Sequence, residues 1–352
     1  MASNRITEDD LLEVIAAYKR EGSIRKAADA LGMSRTSVER RLIKYRKQSA
    51  DDSAYDKEDE YQFAELPTDE CPTDELIERM TRGFERKKRA KDARRWINVR
   101  VDTEKPIGLA FLGDPHIDDS GCDWGTLRRH LDIIKSTPGM RGCSLGDEIN
   151  NWVGRLSRLY SEQETTAAQA WQLVEWLINE MDPLLLIAGN HDMWSGSGDP
   201  VQWMKAPHHL YEKWSARVQL VFKNGKECRI HMAHDMPGHS QWNPLHAQMK
   251  AAKFLSTAHL YISGHRHNWA LAQVELPELD TCPWLARARG YKFFDDYALT
   301  KGYDEQQYGH AIGAVIDPQA KTPASLITCF ADLEEAADYL TWKRTRYAKR
   351  VA

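Results

Sequence analysis

From residue 106 onward, short apolar runs alternate with amphipathic stretches. Residues 107–112, 143–145, 184–188, 229–233 and 260–263 are mostly apolar and bounded by glycine or polar residues. Runs of this kind predict buried strands. Between them, 124–135, 164–181 and 249–255 predict helices. In the second, Trp171, Val174, Leu177 and Ile178 recur at helical spacing. Residues 269–276, 284–289 and 311–316 predict further strands, and 333–347 a closing helix. The alternation predicts an α/β class.

The front of the chain has a different rhythm. Thr7 caps a first helix with Leu11, Leu12, Val14, Ile15 and Tyr18 on its apolar face, and Gly22-Ser23 ends it. Residues 24–31 predict a second helix that packs Ala27, Ala28 and Leu31 inward. Gly32 supplies a tight turn, and Ser34 caps a third helix with Val38, Leu42 and Tyr45 inside. The stretch from Ala27 to Val38 resembles the helix-turn-helix segments of bacterial and phage DNA-binding proteins. That resemblance implies DNA as a partner. Arg35, Thr36, Ser37, Arg40, Arg41 and Lys44, beside Glu39, would then face bases and phosphates. The competing reading is a small all-α bundle used for assembly.

Charge sharpens this division. The chain has 352 residues and a formal net charge of −4. Residues 1–50 carry net +4, 51–75 net −10, 76–100 net +7 and the remainder net −5. The expected organisation is a helix-turn-helix domain over 1–48, an acidic flexible linker over 49–72, a basic helix over 73–100 and a catalytic domain over 101–352. The basic stretch from Arg86 to Arg95 is expected to contact a nucleic-acid backbone. No apolar run approaches the roughly 20 residues that span a bilayer, so no membrane partner is expected. Met1 to Arg5 lead into no signal-peptide apolar region, and the six cysteines form no C-x-x-C pair. A cytoplasmic protein of bacterial or phage origin with reduced thiols is expected, and a homo-oligomer stays open.

The chemistry sits where the strand-like runs end. Five polar motifs follow in order: Asp114-Pro-His116, Gly146-Asp147, Gly189-Asn190-His191-Asp192, His234 and Gly264-His265-Arg266-His267. The carboxyl edge of an α/β sheet is where ligands bind. Carboxylate, imidazole and amide oxygens suit Mn, Fe, Zn, Ni or Mg, and no cysteine joins the set to make a thiolate zinc site. Seven candidate ligands are too many for one ion and enough for two if a carboxylate bridges.

This motif order resembles the calcineurin-like metallophosphoesterase superfamily over about residues 106–275. The resemblance implies a two-sheet β-sandwich flanked by helices. It implies two divalent ions, and histidine and amide ligands suit Mn2+ better than strongly hydrated Mg2+. Asp114, His116, Asp147 and His267 would hold one ion. Asp147, Asn190, His234 and His265 would hold the other, with Asp147 bridging. His191 would be the general acid. The expected reaction is hydrolysis of DNA phosphodiesters by a metal-bridging hydroxide, as in nuclease-like members of phages and prophages. Two departures stand out. Asn150 replaces the Asp that pairs with the histidine in many phosphoprotein phosphatases, and the phosphate-binding Arg of that motif is absent. Asn150 or Asp192 would orient His191 instead. The second departure is smaller: His234 follows Ala rather than Gly. The alternatives are a phosphatase, a small-molecule or cyclic-nucleotide phosphodiesterase, and a non-enzymatic DNA-binding regulator.

Several neighbours of the motifs invite roles. Trp152, Trp194, Trp242 and Trp269 could stack on bases, against ordinary packing. Arg155 and Arg158 could hold a flanking phosphate, against surface ion pairs. His239 and His246 read as loop residues. His208, His209 and His310 read as structural. Arg266 is expected to point away from the ions or toward substrate.

Overall fold

The structure, a computed structural model, describes residues 7–53, 69–194, 198–294 and 307–351. Its contacts divide the chain into two compact units, Met1–Ile77 and Glu78–Ala352.

In the first unit, α1 (Glu8–Glu21) starts at a capping box. Asp10 N donates to Thr7 Oγ1 at 3.3 Å and Thr7 N to Asp10 Oδ2 at 2.9 Å. Gly22 and Gly32 end α1 and α2 (Ile24–Leu31) in left-handed backbone, φ 66° and 62°. Ser34 Oγ then accepts from Ser37 N at the start of α3 (Arg35–Ser53), 3.2 Å. Val14, Ile15, Ala17, Ala27, Ala28, Val38 and Leu42 form the shared core. Leu12 was expected on that face but is exposed. Helix α3 runs through Ser53, into the segment expected as linker, and 54–68 of that linker lie outside the described residues.

Helix α4 (Thr73–Ala93) buries none of its residues, so its basic side chains face solvent. β1 (Ile97–Val101) follows, so the stretch expected to be helical through residue 100 ends in a strand.

The second unit is built on two six-stranded sheets among the described residues. One contains β2 (Ile107–Leu112), β3 (Met140–Ser144), β4 (Leu185–Ala188) and β5 (Leu210–Lys213), all parallel. β11 (Ala311–Ile316) runs antiparallel to β2, and β12 (Ile327–Phe330) pairs with β11. The other sheet has the order β1, β6 (Ser215–Phe222), β7 (Glu227–Ala233), β8 (Leu260–Ser263), β10 (Trp284–Arg287), β9 (Ala270–Gln273). The expected two-sheet sandwich is therefore observed. Strict alternation along β6 sends Ala216, Val218, Leu220 and Phe222 into the interface between the sheets. There they meet Leu109, Phe111, Leu145 and Ile187.

Helices α5 (Trp124–Ser136), α6 (Ala167–Met181) and α10 (Leu333–Val351) cover the outer face of the first sheet. α9 (His246–Phe254) covers the second. Short helices α7 (Asn190–Met193) and α8 (Pro200–Met204) follow β4. No helix among the described residues is long and apolar enough to cross a membrane.

Candidate metal centre

The site forms where strands of both sheets end. β2, β3 and β4 deliver Asp114, Asp147 and Asn190 from one sheet, and β7 and β8 deliver His234 and His265 from the other. Sharp turns are needed to aim these side chains inward. Asp114, His116, Asp147, His265 and His267 all adopt left-handed backbone, with φ between 40° and 68°. Each such non-glycine residue costs of order 1–3 kcal/mol, and strain of this kind persists only where the surroundings over-determine it. The determinants are hydrogen bonds between motifs. Asp114 N donates to Gly146 O at 2.9 Å, and His265 N to Asp114 Oδ2 at 2.7 Å. His191 N donates to Asp147 Oδ1 at 2.9 Å. Glycines make room: a methyl at Gly189 would overlap Asp147 Oδ1, and one at Gly264 would overlap Asp114 Oδ2.

Ligand atoms of Asp114, Asp147, His234 and His265 lie within 4.8 Å of one another, as do those of Asp114, His116 and His267. Asp114 is common to both groups, and Asp147 also groups with His116 and His191, so both carboxylates reach both sides. His234 Nδ1 donates to Leu145 O at 2.9 Å, which turns Nε2 toward Asp147 Oδ2 at 3.2 Å and Asn190 Oδ1 at 2.9 Å. All seven candidate ligands thus meet at one edge.

The donor set fits divalent cations. Asp114 Oδ1 and His116 Nδ1 are buried with no hydrogen-bond partner among the described residues. Burial raises the Asp114 carboxyl to about 7 against the pull of His234 and His267. Burial pulls His234 down, but Asp147 and Asp114 outweigh it and push it up to about 10. Burial drives His116 well below its usual value. The two buried carboxylates draw a proton onto His234, which shows that the site calls for positive charge, and hard divalent cations would supply it.

No protein family matches the chain's sequence, and no curated protein does either. Solved structures supply fold neighbours. The calcineurin-like phosphoesterase YfkN from Bacillus subtilis is 10% identical over 70% of this chain and 98% of its own, at TM-score 0.33. The NAD nucleotidase NadN of Haemophilus influenzae is 9% identical over 64% of this chain and 49% of its own, also at 0.33. GAP50, an inner-membrane-complex anchor of Plasmodium, is 12% identical over 67% and 94%, at 0.31.

His191 sits beside the cluster. Its Nε2 is 3.9 Å from Asp147 Oδ2, and its atoms group with those of His116 and Asp147. Burial lowers its pKa, which Asp147 and the Asn150 carbonyl partly oppose. Both expected orienting groups need correction. His191 Nδ1 donates to the backbone carbonyl of Asn150, not to its side chain. The Asn150 amide instead donates to Asp119 Oδ2 at 2.8 Å. Asp192 is fully buried with its carboxylate on backbone amides: Asp147 N and Gly189 N at 2.8 Å and Glu148 N at 3.1 Å. It holds the Asp147 and Gly189 turns together rather than the His191 ring.

Trp194 and Trp152 pack on His191, with ring centroids 4.0 Å and 5.4 Å away. Trp242 is almost fully exposed. Arg155 and Arg158 are exposed, and so are His239 and His246. Arg266 pairs with Asp235 at 2.7 Å. On α3, Arg35, Thr36, Arg40 and Lys44 are exposed, whereas the Arg41 guanidinium folds back onto Ser37 and both are half-buried.

Some residues carried no motif signal. Arg287 and Lys292 are buried cations after β8, and Arg287 Nη1 donates to Asn268 Oδ1 at 3.1 Å beside His267. His208 and His209, which had read as structural, converge on Asp182 at 2.8 and 2.9 Å. His209 Nδ1 already accepts from Ala206 N at 3.2 Å, so its Nε2 carries the proton. That tautomer donates to a carboxylate and does not ligate a metal through Nε2.

Proposed function

We propose that this chain is a two-metal phosphodiesterase that acts on DNA, with α1–α3 as a helix-turn-helix DNA-binding module. The observation that carries the reading is the convergence of seven side chains able to ligate a metal, from both sheets, on two overlapping clusters. Asp114, His116, Asp147 and His267 would hold one divalent ion, and Asp147, Asn190, His234 and His265 the other. Two such ions supply Lewis-acid charge for the phosphoryl oxygens and lower the pKa of a water.

The chain's own groups do the rest. The Asn150 carbonyl fixes the proton on His191 Nδ1, so Nε2 is the nitrogen available to the reacting centre. Water attacks phosphorus and releases a proton to solvent, the bond to the leaving oxygen breaks, and protonated His191 gives that oxygen its proton from Nε2. Trp152 and Trp194 pack against the ring and restrict its motion. DNA as substrate is supported by the exposed Arg35, Arg40 and Lys44 on α3 and by the basic α4. A protein-phosphatase reading is disfavoured because Asn150 gives His191 no carboxylate.

The test is a substrate screen with manganese-loaded protein on single- and double-stranded DNA, an aryl phosphodiester and an aryl monoester. Cleavage of DNA and the diester is expected. Hydrolysis of the monoester alone would make the protein a phosphatase. No hydrolysis with two ions bound would favour a DNA-binding regulator.

A further inference from the structure

Where the phosphatase motif would place a carboxylate on the histidine, this chain has a backbone carbonyl, and the structure shows what holds that carbonyl in place. Asn150 is fastened at both ends. Its backbone N donates to Asp118 Oδ1 at 2.8 Å, and its side-chain Nδ2 to Asp119 Oδ2 at 2.8 Å. The same Asp119 oxygen meets Lys292 Nζ at 2.9 Å, and Asp119 Oδ1 accepts from Gly121 N at 2.8 Å. Lys292 is buried, and its ammonium lies 5.3 Å over the ring of Trp152, the indole that packs edge-on against His191. Two routes therefore run from one ammonium to one imidazole. One passes through Asp119 and Asn150 to His191 Nδ1. The other passes through Trp152 to the ring.

We propose that Lys292 is a positioning residue for the general acid: paired with Asp119, it locks the Asn150 carbonyl onto His191 Nδ1 and Trp152 onto the imidazole. The inference rests on the phosphodiesterase reading for its catalytic meaning, but the geometry it claims exists without turnover. A buried ammonium costs several kcal/mol unless paired. Asp119 and the indole face offset that cost here. Removing the charge leaves Asp119 without its cation and frees the Asn150 amide to turn. A displacement of about 1 Å in an oriented catalytic group costs roughly 10²-fold in rate.

Two measurements on the full chain test it. The first uses the metal-free protein, so it does not depend on activity: 15N NMR of the His191 ring, assigned with His191→Gln. The wild type is expected to show a fixed Nδ1–H tautomer. Lys292→Met should show mixed tautomers, and Lys292→Arg should restore the fixed one. The second is the ratio of turnover on an alkyl-leaving diester to that on a nitrophenyl diester, in manganese-loaded protein. Lys292→Met should lower the ratio at least tenfold with unchanged manganese content. In an Asp119→Asn background, Lys292→Met should lower it little further. A single His191 tautomer in folded Lys292→Met would overturn the proposal, and so would equal loss on both substrates. Wild-type protein that shows the fixed tautomer but cleaves no diester would refute the phosphodiesterase reading and leave the positioning intact.

Discussion

Gly264→Ala probes the site through one methyl group. Gly264 precedes His265, and a Cβ there would overlap Asp114 Oδ2, whereas ordinary contact begins at 3.4 Å. Asp114 is fully buried and its backbone is held at φ 46°, so it has little freedom to yield. Relief requires its carboxylate to retreat by about 1 Å, which on the scale for misplaced catalytic groups costs about 10²-fold, or about 2.7 kcal/mol. The retreat also breaks the 2.7 Å bond from His265 N. Gly264 is absent from the positive-φ positions, so alanine adds no left-handed strain of its own. The assay is kcat/KM on an aryl phosphodiester, with manganese affinity by calorimetry and a thermal melt as the folding control. Gly83→Ala is the reference, because nothing lies within 4 Å of that helical glycine. It should leave manganese binding unchanged and stabilise α4 by roughly 0.5–1 kcal/mol. Wild-type affinity and turnover in Gly264→Ala would refute the placement of Asp114 in the centre.

Three further outcomes are expected. His191→Ala should keep its metals and lose roughly 10²–10⁴ in turnover on poor leaving groups, with a smaller loss on nitrophenolate; inductively coupled plasma mass spectrometry and steady-state kinetics check it. Arg40→Ala should lower the slope of log K against log salt for duplex DNA by about 0.9, and Arg35→Ala should relax sequence preference instead; fluorescence anisotropy across a salt series reads both. Burial lowers His130 to about 4, and its Nδ1 lies 2.8 Å from the Tyr291 hydroxyl. A depressed histidine contributes stability that is complete above pH 6.5 and lost as pH falls from 6.5 towards 4. For His130 this is on the order of 3 kcal/mol. His130→Asn should therefore flatten the unfolding midpoint over that window, and an unchanged pH dependence would reject the burial argument.

The motifs were legible because each one caps a run that is buried in a sheet, and the period of such runs is written in the residues. β2, β7 and β8 are of this kind, β11 shows an equally unbroken apolar run without a motif after it, and the helices repeat apolar residues every third or fourth position. β6 was equally legible, with Ala216, Val218, Leu220 and Phe222 alternating, but no polar motif follows to draw the eye. β1 was lost for another reason. Its exposed Asn98 and Arg100 alternate with half-buried Ile97, Val99 and Val101 directly after a basic helix, so its period was absorbed into that helix. β5 (LYEK) buries none of its four residues and β12 (ITCF) only Ile327 and Cys329, so neither shows the unbroken apolar run of the equally short β8. Side-chain direction was hidden altogether. Nothing in the sequence distinguishes the Asn150 carbonyl from its amide as the partner of His191. Nor does it reveal that Asp192 would serve backbone amides, or that Arg41 would fold onto Ser37. Lys292 belongs to no motif, and only the folded chain brings it to Asp119.

The most direct measurement of the two-metal account is metal content together with turnover in Asp147→Ala, set beside the wild type after chelation and reloading with Mn2+. Wild-type protein is expected to bind two ions per chain, to lose phosphodiester hydrolysis with chelator and to regain it with Mn2+. Asp147→Ala, stripped of the carboxylate proposed to bridge, is expected to hold at most one ion and to be inactive. Two tightly bound ions and wild-type hydrolysis in Asp147→Ala would contradict the account.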